Sequence, residues 1–229
     1  PERSIDSVNR TIDIHEKYQV PVDIYLNDQV FQIYLEQAPE LIERLTTSEH
    51  VTINYHIRAP HPVYDGFDVV GLNQMNPEEL YQTLSAYEEN KLDLETGEYI
   101  EDQAGGYQLI KDTIGYAPIA LGFSAQGIVS DIYAQVFQEK GAKLYVVHGS
   151  ESNFGDAENG LYLRPEHVEI KWYEEMRRNY YDGVTAEDII DEAVLENGFF
   201  EDDQNLFINM KMHENNYYTD GTSFAPTYW

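Results

Sequence analysis

The sequence contains no cysteine among its 229 residues. That excludes disulfides, thiolate metal ligands and a thiol nucleophile, and leaves the redox compartment open. Basic residues are scarce as well: 14 lysines and arginines stand against 42 aspartates and glutamates, a formal net charge of −28. A surface of that sign repels nucleic-acid phosphates and anionic lipid, so neither is expected as a partner. Long apolar runs are missing too. No stretch approaches the roughly 18 residues of a membrane-spanning helix, and no apolar signal segment opens the chain. Membrane insertion is therefore not expected, and the cytoplasm is favoured over secretion. The first residue is Pro1, so the chain is expected to start inside a longer gene product.

What is present suffices for a core. Hydrophobic residues make up 42% of the chain, which suits one α/β domain over 1–229 rather than a disordered polypeptide. Acidic residues are spread throughout and read first as a solvated surface, and second as a match for a neutral or cationic partner such as an amino-sugar polymer. The 19 tyrosines serve either core packing or stacking on sugar faces.

Helix and strand patterns alternate along the chain. Ile5, Val8 and Ile12 lie at helical spacing in "SIDSVNRTIDIHEKYQ", which predicts an amphipathic helix. "VPVDIYLND" alternates as a strand, "QIYLEQAPELIERLTTS" reads as a helical segment with Pro39 near a helix start, and "EHVTINYHI" is the next strand. "NPEELYQTLSAYEENK" opens on Asn76, Pro77 and two glutamates, a well-formed helix start. A polar excursion around 92–106 follows as an exposed insertion. Then come "YQLIKDTIG" as helix, "YAPIALGFS" as strand, "IVSDIYAQVFQEKG" as helix and "AKLYVVHG" as strand. "LYLRPEHVEIKWYE" reads as extended, "TAEDIIDEAVLEN" as a capped helix and "NLFINMKMH" as a final strand. The alternation predicts a parallel α/β sheet, either barrel or doubly wound, with its chemistry at the C-terminal strand ends.

Four of the seven histidines fall at or just after such ends: His56, His61, His148 and His213, with Asp28 and Glu214 beside strand ends as well. Neutral imidazoles with a carboxylate are common ligands of zinc or a similar divalent ion. The alternative for each histidine is a loop cap or a bond to a backbone carbonyl. "GTSFAP" around Ser223 has a fragment of a serine-protease pattern, but no matching aspartate motif precedes it, and Ser223 is expected in a loop after the last strand.

The order helix, "VPVDIYLND", helix, "PELIERLTTSEHVTINYHIRAPHP" resembles the NodB-type polysaccharide deacetylases. "NYHIRAPHP" is similar to the family's H-x-x-x-H-P motif, with one extra residue between His56 and His61. "YAPIALG" stands at the family's R-x-P-P strand with Tyr116 in place of arginine, and "VSDIYAQVFQEKGAKLYVV" at the helix and strand that follow. "INMKMHENN" resembles the closing strand whose histidine is the catalytic acid. The family's aspartate pair either falls upstream of Pro1 or is absent, and Asp28 is the nearest carboxylate to substitute for a ligand.

The resemblance implies an irregular parallel (β/α) barrel that hydrolyses N- or O-acetyl groups of a carbohydrate with a divalent metal, zinc. It implies His56, His61 and Asp28 as metal ligands and His213 as catalytic acid. Arg58, Tyr116, His148, Glu214 and Tyr217 are implied as substrate contacts, and Tyr64, Tyr217 and Tyr218 as stacking rings. Two other readings stand beside it: a catalytically silent carbohydrate-binding relative of the same fold, and a glycoside hydrolase working with two facing carboxylates.

Overall fold

The computed structural model describes residues 2–147 and 155–165 together with positions 185, 187, 188 and 191. The chain divides into two compact units. One comprises Asn9–Val146 with Ala157–Tyr162 and holds most of the described residues; the other comprises Pro1–Val8, Val147–Asp156 and Leu163–Trp229. In the second unit, Thr185 and Asp188 exchange the two bonds of a capping box. The Thr185 amide donates to Asp188 Oδ2 at 2.7 Å, and the Asp188 amide donates to Thr185 Oγ1 at 3.2 Å. The expectation of a single domain over 1–229 takes in many residues outside the described set.

The described elements run α1 (Glu2–Tyr18), β1 (Val22–Leu26), α2 (Asp28–Gln37), α3 (Pro39–Thr47) and β2 (Val51–His56). A 3-10 turn at Leu72–Gln74 leads into α4 (Pro77–Tyr87), the hairpin β3 (Asn90–Leu92) and β4 (Tyr99–Ala104), then α5 (Gly106–Ile114). β5 (Ala120–Gly122), α6 (Gly127–Lys140), β6 (Leu144–Val147), β7 (Ala157–Glu158) and β8 (Leu161–Pro165) complete the series. The main sheet has the order β1-β2-β5-β6-β8-β7. β1, β2, β5 and β6 pair in parallel, and β7 pairs antiparallel with β8. The fold is thus α/β around a mostly parallel six-stranded sheet. Among the described residues no helix is long and apolar enough to cross a membrane.

Register and alternation give this sheet two unlike faces. Ile24 pairs with Ile53, Leu26 with Tyr55, and Tyr55 with Leu121. These side chains share one face because successive residues of a strand point to opposite sides. Tyr55 there meets Tyr107 of α5 and Phe137 of α6, with ring centres 5.7 and 5.8 Å apart, so this is the helix-packed face. Asp23, Tyr25, Asn54, His56 and Gly122 share the other. Asn54 spans it laterally, its amide donating to Asp23 Oδ1 at 3.2 Å and its Oδ1 accepting from the Ala120 amide at 2.9 Å.

Tyrosine supplies much of the core. Tyr34, Tyr55, Tyr87, Tyr107 and Tyr133 are buried, and the hydroxyls of Tyr87 and Tyr107 tie loops to helices. Tyr87 donates to the Gly97 carbonyl at 2.7 Å, and Tyr107 to the Pro118 carbonyl at 2.6 Å. A buried phenol gains from such a partner, since an unpaired buried hydroxyl costs about 1–3 kcal/mol of what the ring's burial returns.

Two expectations change in detail. The segment around Pro39 is two helices, because Ala38 leaves the helical region (φ −149°, ψ 60°) under the clash a proline imposes on the residue before it. The strand in "YAPIALGFS" shortens to three residues, since the Tyr116 hydroxyl accepts the Ile53 amide at 3.0 Å where a strand neighbour would stand. The excursion at 92–106 carries the β3–β4 hairpin.

Between β4 and α5 the backbone passes close to the end of α4. Gly106 has φ +56°, and a Cβ there would lie 2.4 Å from the Tyr87 carbonyl oxygen. Gly115, which closes α5 at φ +80°, has open space around it. Gly115→Ala should therefore lose only the left-handed strain of about 1–2 kcal/mol. Gly106→Ala, carrying the same strain plus a backbone clash, should lose at least twice as much in urea unfolding. Equal losses would show that the approach of α5 to α4 is not tight.

Candidate functional site

The C-terminal ends of the parallel strands are where α/β sheets place ligands, and His56 occupies the end of β2. It is 9% exposed and sits on the face with Tyr25, whose ring meets it edge-on at 6.5 Å. Its Nδ1 lies 2.5 Å from the Ile57 carbonyl oxygen, which can only accept, so Nδ1 carries the hydrogen and Nε2 the lone pair. Paired Gly122 makes room for the ring, because a Cβ there would stand 2.9 Å from His56 Cδ2. A backbone carbonyl that fixes one ring nitrogen while the other keeps its lone pair is the usual setting of a metal-ligating or proton-accepting histidine.

His61 stands differently. Its ring is buried between Tyr87 of α4 and Tyr133 of α6, with centres 5.4 and 6.4 Å away. That is the helix-packed side, opposite to His56. Its Nδ1 accepts the Val63 amide at 3.3 Å, and burial drives its pKa down to about 3. This is a neutral core imidazole that anchors the loop following β2.

Asp28 also belongs to the helix side. It begins α2, which Asn27 caps by accepting the Val30 amide at 2.8 Å. The Asp28 carboxylate is buried, and its Oδ2 accepts the Gly106 amide at 3.0 Å. Burial raises its pKa, opposed by the amide bonds from Gly106 and from its own helix start. Beside it lies a group that sequence reading missed, Glu88, completely buried just after α4. Glu88 Oε2 accepts the Tyr107 amide at 2.9 Å, and Oε1 accepts the Tyr133 hydroxyl. The Glu88 carbonyl takes the Gln108 amide at 2.9 Å. Asp28 and Glu88 together therefore satisfy the first amides of α5, which has no side-chain cap of its own. Burial, with Asp28 nearby, pushes the Glu88 carboxyl up to about 8.

The remaining expected residues scatter. Arg58 follows β2 by two positions and is half-buried. Tyr116 holds the middle of β2 rather than its end. His148, His213, Glu214 and Tyr217 lie outside the described residues. Among the described residues no group of three histidines, aspartates or glutamates is placed to hold a metal ion. Of the three expected metal ligands, His56 alone lies on the polar face at a strand's C-terminal end, with Nδ1 on the Ile57 carbonyl. Asp28 Oδ2 and His61 Nδ1 each accept a backbone amide on the helix-packed side. Sequence reading also missed a small cavity beyond the ends of β2 and β5, between the loop after β2 and the start of α6.

The two buried titrating groups bend stability in opposite directions. As pH rises from 4.5 to about 8, Glu88 ionises in the unfolded chain while the folded chain keeps the proton, so stability falls across that window. As pH falls from 6.5 to about 3, His61 takes up a proton in the unfolded chain that the folded chain refuses, so stability falls again. Urea unfolding followed against pH should show Glu88→Gln flattening the alkaline slope and His61→Phe the acid one. Unchanged slopes in both variants would contradict this burial.

The chain matches no family model, no curated protein and no solved structure.

Proposed function

We propose that this chain is a divergent relative of the NodB-type polysaccharide deacetylases, directed at N- or O-acetylated sugars. The observation that carries the reading is the place of His56: at the C-terminal end of β2, on the face opposite the described helices, with its ring fixed by the bond from Nδ1 to the Ile57 carbonyl. The strand order supports it. β1, β2, β5 and β6 follow one another across the sheet in chain order, with no reversal of the kind that defines a doubly wound sheet. Connections of a single hand then set the helices on one side, as in an arc of an irregular (β/α) barrel whose inner face would be the polar one.

In this reading a divalent ion such as zinc, when bound, supplies a water of lowered pKa and polarises the acetyl carbonyl. Among the described residues His56 is the donor suited to it. Asp28 and His61 do not complete the set, because both lie on the helix-packed side. His148 and His213 lie outside the described residues; the resemblance gives His213 the acid's role and His148 a substrate contact. Glu214, Tyr217 and Arg58 remain the proposed sugar contacts.

A second reading has its own support. With Asp28 and His61 committed to backbone amides, a carbohydrate-binding relative that performs no hydrolysis would need no further change in this part of the chain. Elemental analysis of the purified protein separates the two. The first reading expects about one zinc-class metal per chain, lost in His56→Ala and kept in Asp28→Asn and His61→Phe, with acetate released from an acetylated sugar. Absence of stoichiometric metal, or its retention in His56→Ala, would sink that reading and leave the binding protein.

A further inference from the structure

The cavity beyond the ends of β2 and β5 measures about 180 Å3, below the roughly 300–1,000 Å3 of sites for drug-sized ligands. Its floor is apolar, made of Val63, Leu72 and Val129, all buried. Its polar edge is Tyr64, Asp65, Asn73 and Gln126. Among the described residues no lysine, arginine or histidine lines it.

Three independent supports hold this cavity open. Buried His61 fixes the Val63 amide. Asp68 clamps the 3-10 turn, its Oδ1 accepting the Gly71 and Leu72 amides at 2.8 and 2.9 Å. Val129 belongs to the first turns of α6. The lining is therefore braced by the protein's own bonds, which lowers the ordering cost of binding.

The edge chemistry narrows the occupant. Among the described residues an anion would meet two aspartates, Asp65 and Asp68, and no cation. A metal ion would find one uncommitted carboxylate, Asp65, too few for an oxygen-ligand site. Hydroxyl groups both donate and accept, and the edge offers both roles: the Asp65 carboxylate accepts, while the Gln126 and Asn73 amides do either. Gln126 precedes α6 without capping it and reaches Asp65 Oδ2 only at 3.5 Å, a contact a ligand hydroxyl can replace. The apolar floor and the Tyr64 ring suit the C–H face of a sugar.

We propose that this cavity is a subsite for one neutral pyranose ring, with Asp65 and Gln126 taking adjacent hydroxyls. It is built on α6 and the loop that His61 anchors, not on the face that carries His56, so it goes beyond the hydrolytic reading and does not depend on it.

Chemical-shift titration of the whole chain with methyl β-glucopyranoside, N-acetylglucosamine, glucosamine and inorganic phosphate tests it. The neutral sugars should saturate, with shifts gathered at residues 62–73 and 125–129. Asp65→Asn and Gln126→Ala, both at exposed positions, should each weaken binding about fivefold, the size of one lost hydrogen bond. Exposed Glu36→Gln on α2 should leave it unchanged. Failure of every neutral sugar to saturate, tighter binding of glucosamine or phosphate, or wild-type affinity in both rim variants would overturn the proposal. Metal content and acetate release play no part in the outcome, so a failed deacetylase reading leaves it standing.

Discussion

The fold around the candidate site depends on one buried carboxyl group. Glu88 closes α4, receives the first amides of α5 through its side chain and its carbonyl, and meets the Tyr133 hydroxyl on α6. Three helices thus converge on a group that ordinary solvation would keep at the surface. Burying an unpaired carboxylate costs several kcal/mol, whereas a protonated carboxyl held by an amide and a phenol costs far less. The rise of its pKa to about 8 expresses that preference, since the protein holds the neutral form in place. Gly106 follows from the same constraint, because α5 can offer its amides to Glu88 only if its backbone passes against the end of α4 without a side chain between.

This network also explains why two of the residues that looked like ligands are not free to be ligands together with His56. Asp28 shares the capping of α5 with Glu88. His61 lies against Tyr87 and Tyr133, the latter also a partner of Glu88. Both are parts of the helix-side core, and the sheet stands between them and His56. Chain proximity in "HIRAPHP" is misleading because the loop after β2 crosses from one side of the sheet to the other within five residues.

Much of the architecture could be read beforehand where local chemistry decides it. Asn76 and Glu79 form the capping box that their spacing announces, and the alternation in "VTINYH" already separates Ile53 and Tyr55 from Asn54 and His56. A further signal was present and unused: "ENGL" holds Asn159 and Gly160 at positive φ, 48° and 79°, the two-residue turn that joins β7 to β8. Glu88 could not be read that way. In "SAYEEN" it resembles any acidic residue at a helix end, and its burial arises from Tyr107 and Tyr133, 19 and 45 residues further on. The same holds for His61, whose neutrality is conferred by two rings from separate helices.

The abundance of tyrosine takes its meaning from this arrangement. A chain of net charge −28 has few cations with which to pair buried acids, and among the described ion pairs the bases serve exposed carboxylates such as Asp13, Glu16 and Glu89. Phenol hydroxyls and backbone amides do inside what guanidinium groups do elsewhere: they satisfy a carboxyl without adding charge. They also fill volume, so Tyr55, Tyr107 and Tyr133 pack as an aromatic cluster with Phe123 and Phe137 while their hydroxyls fix neighbouring segments. The loop that shapes the rim cavity is held by this cluster through His61. The geometry of the ligand-facing edge therefore rests on the same aromatic and carboxyl core that sets the helices on the sheet.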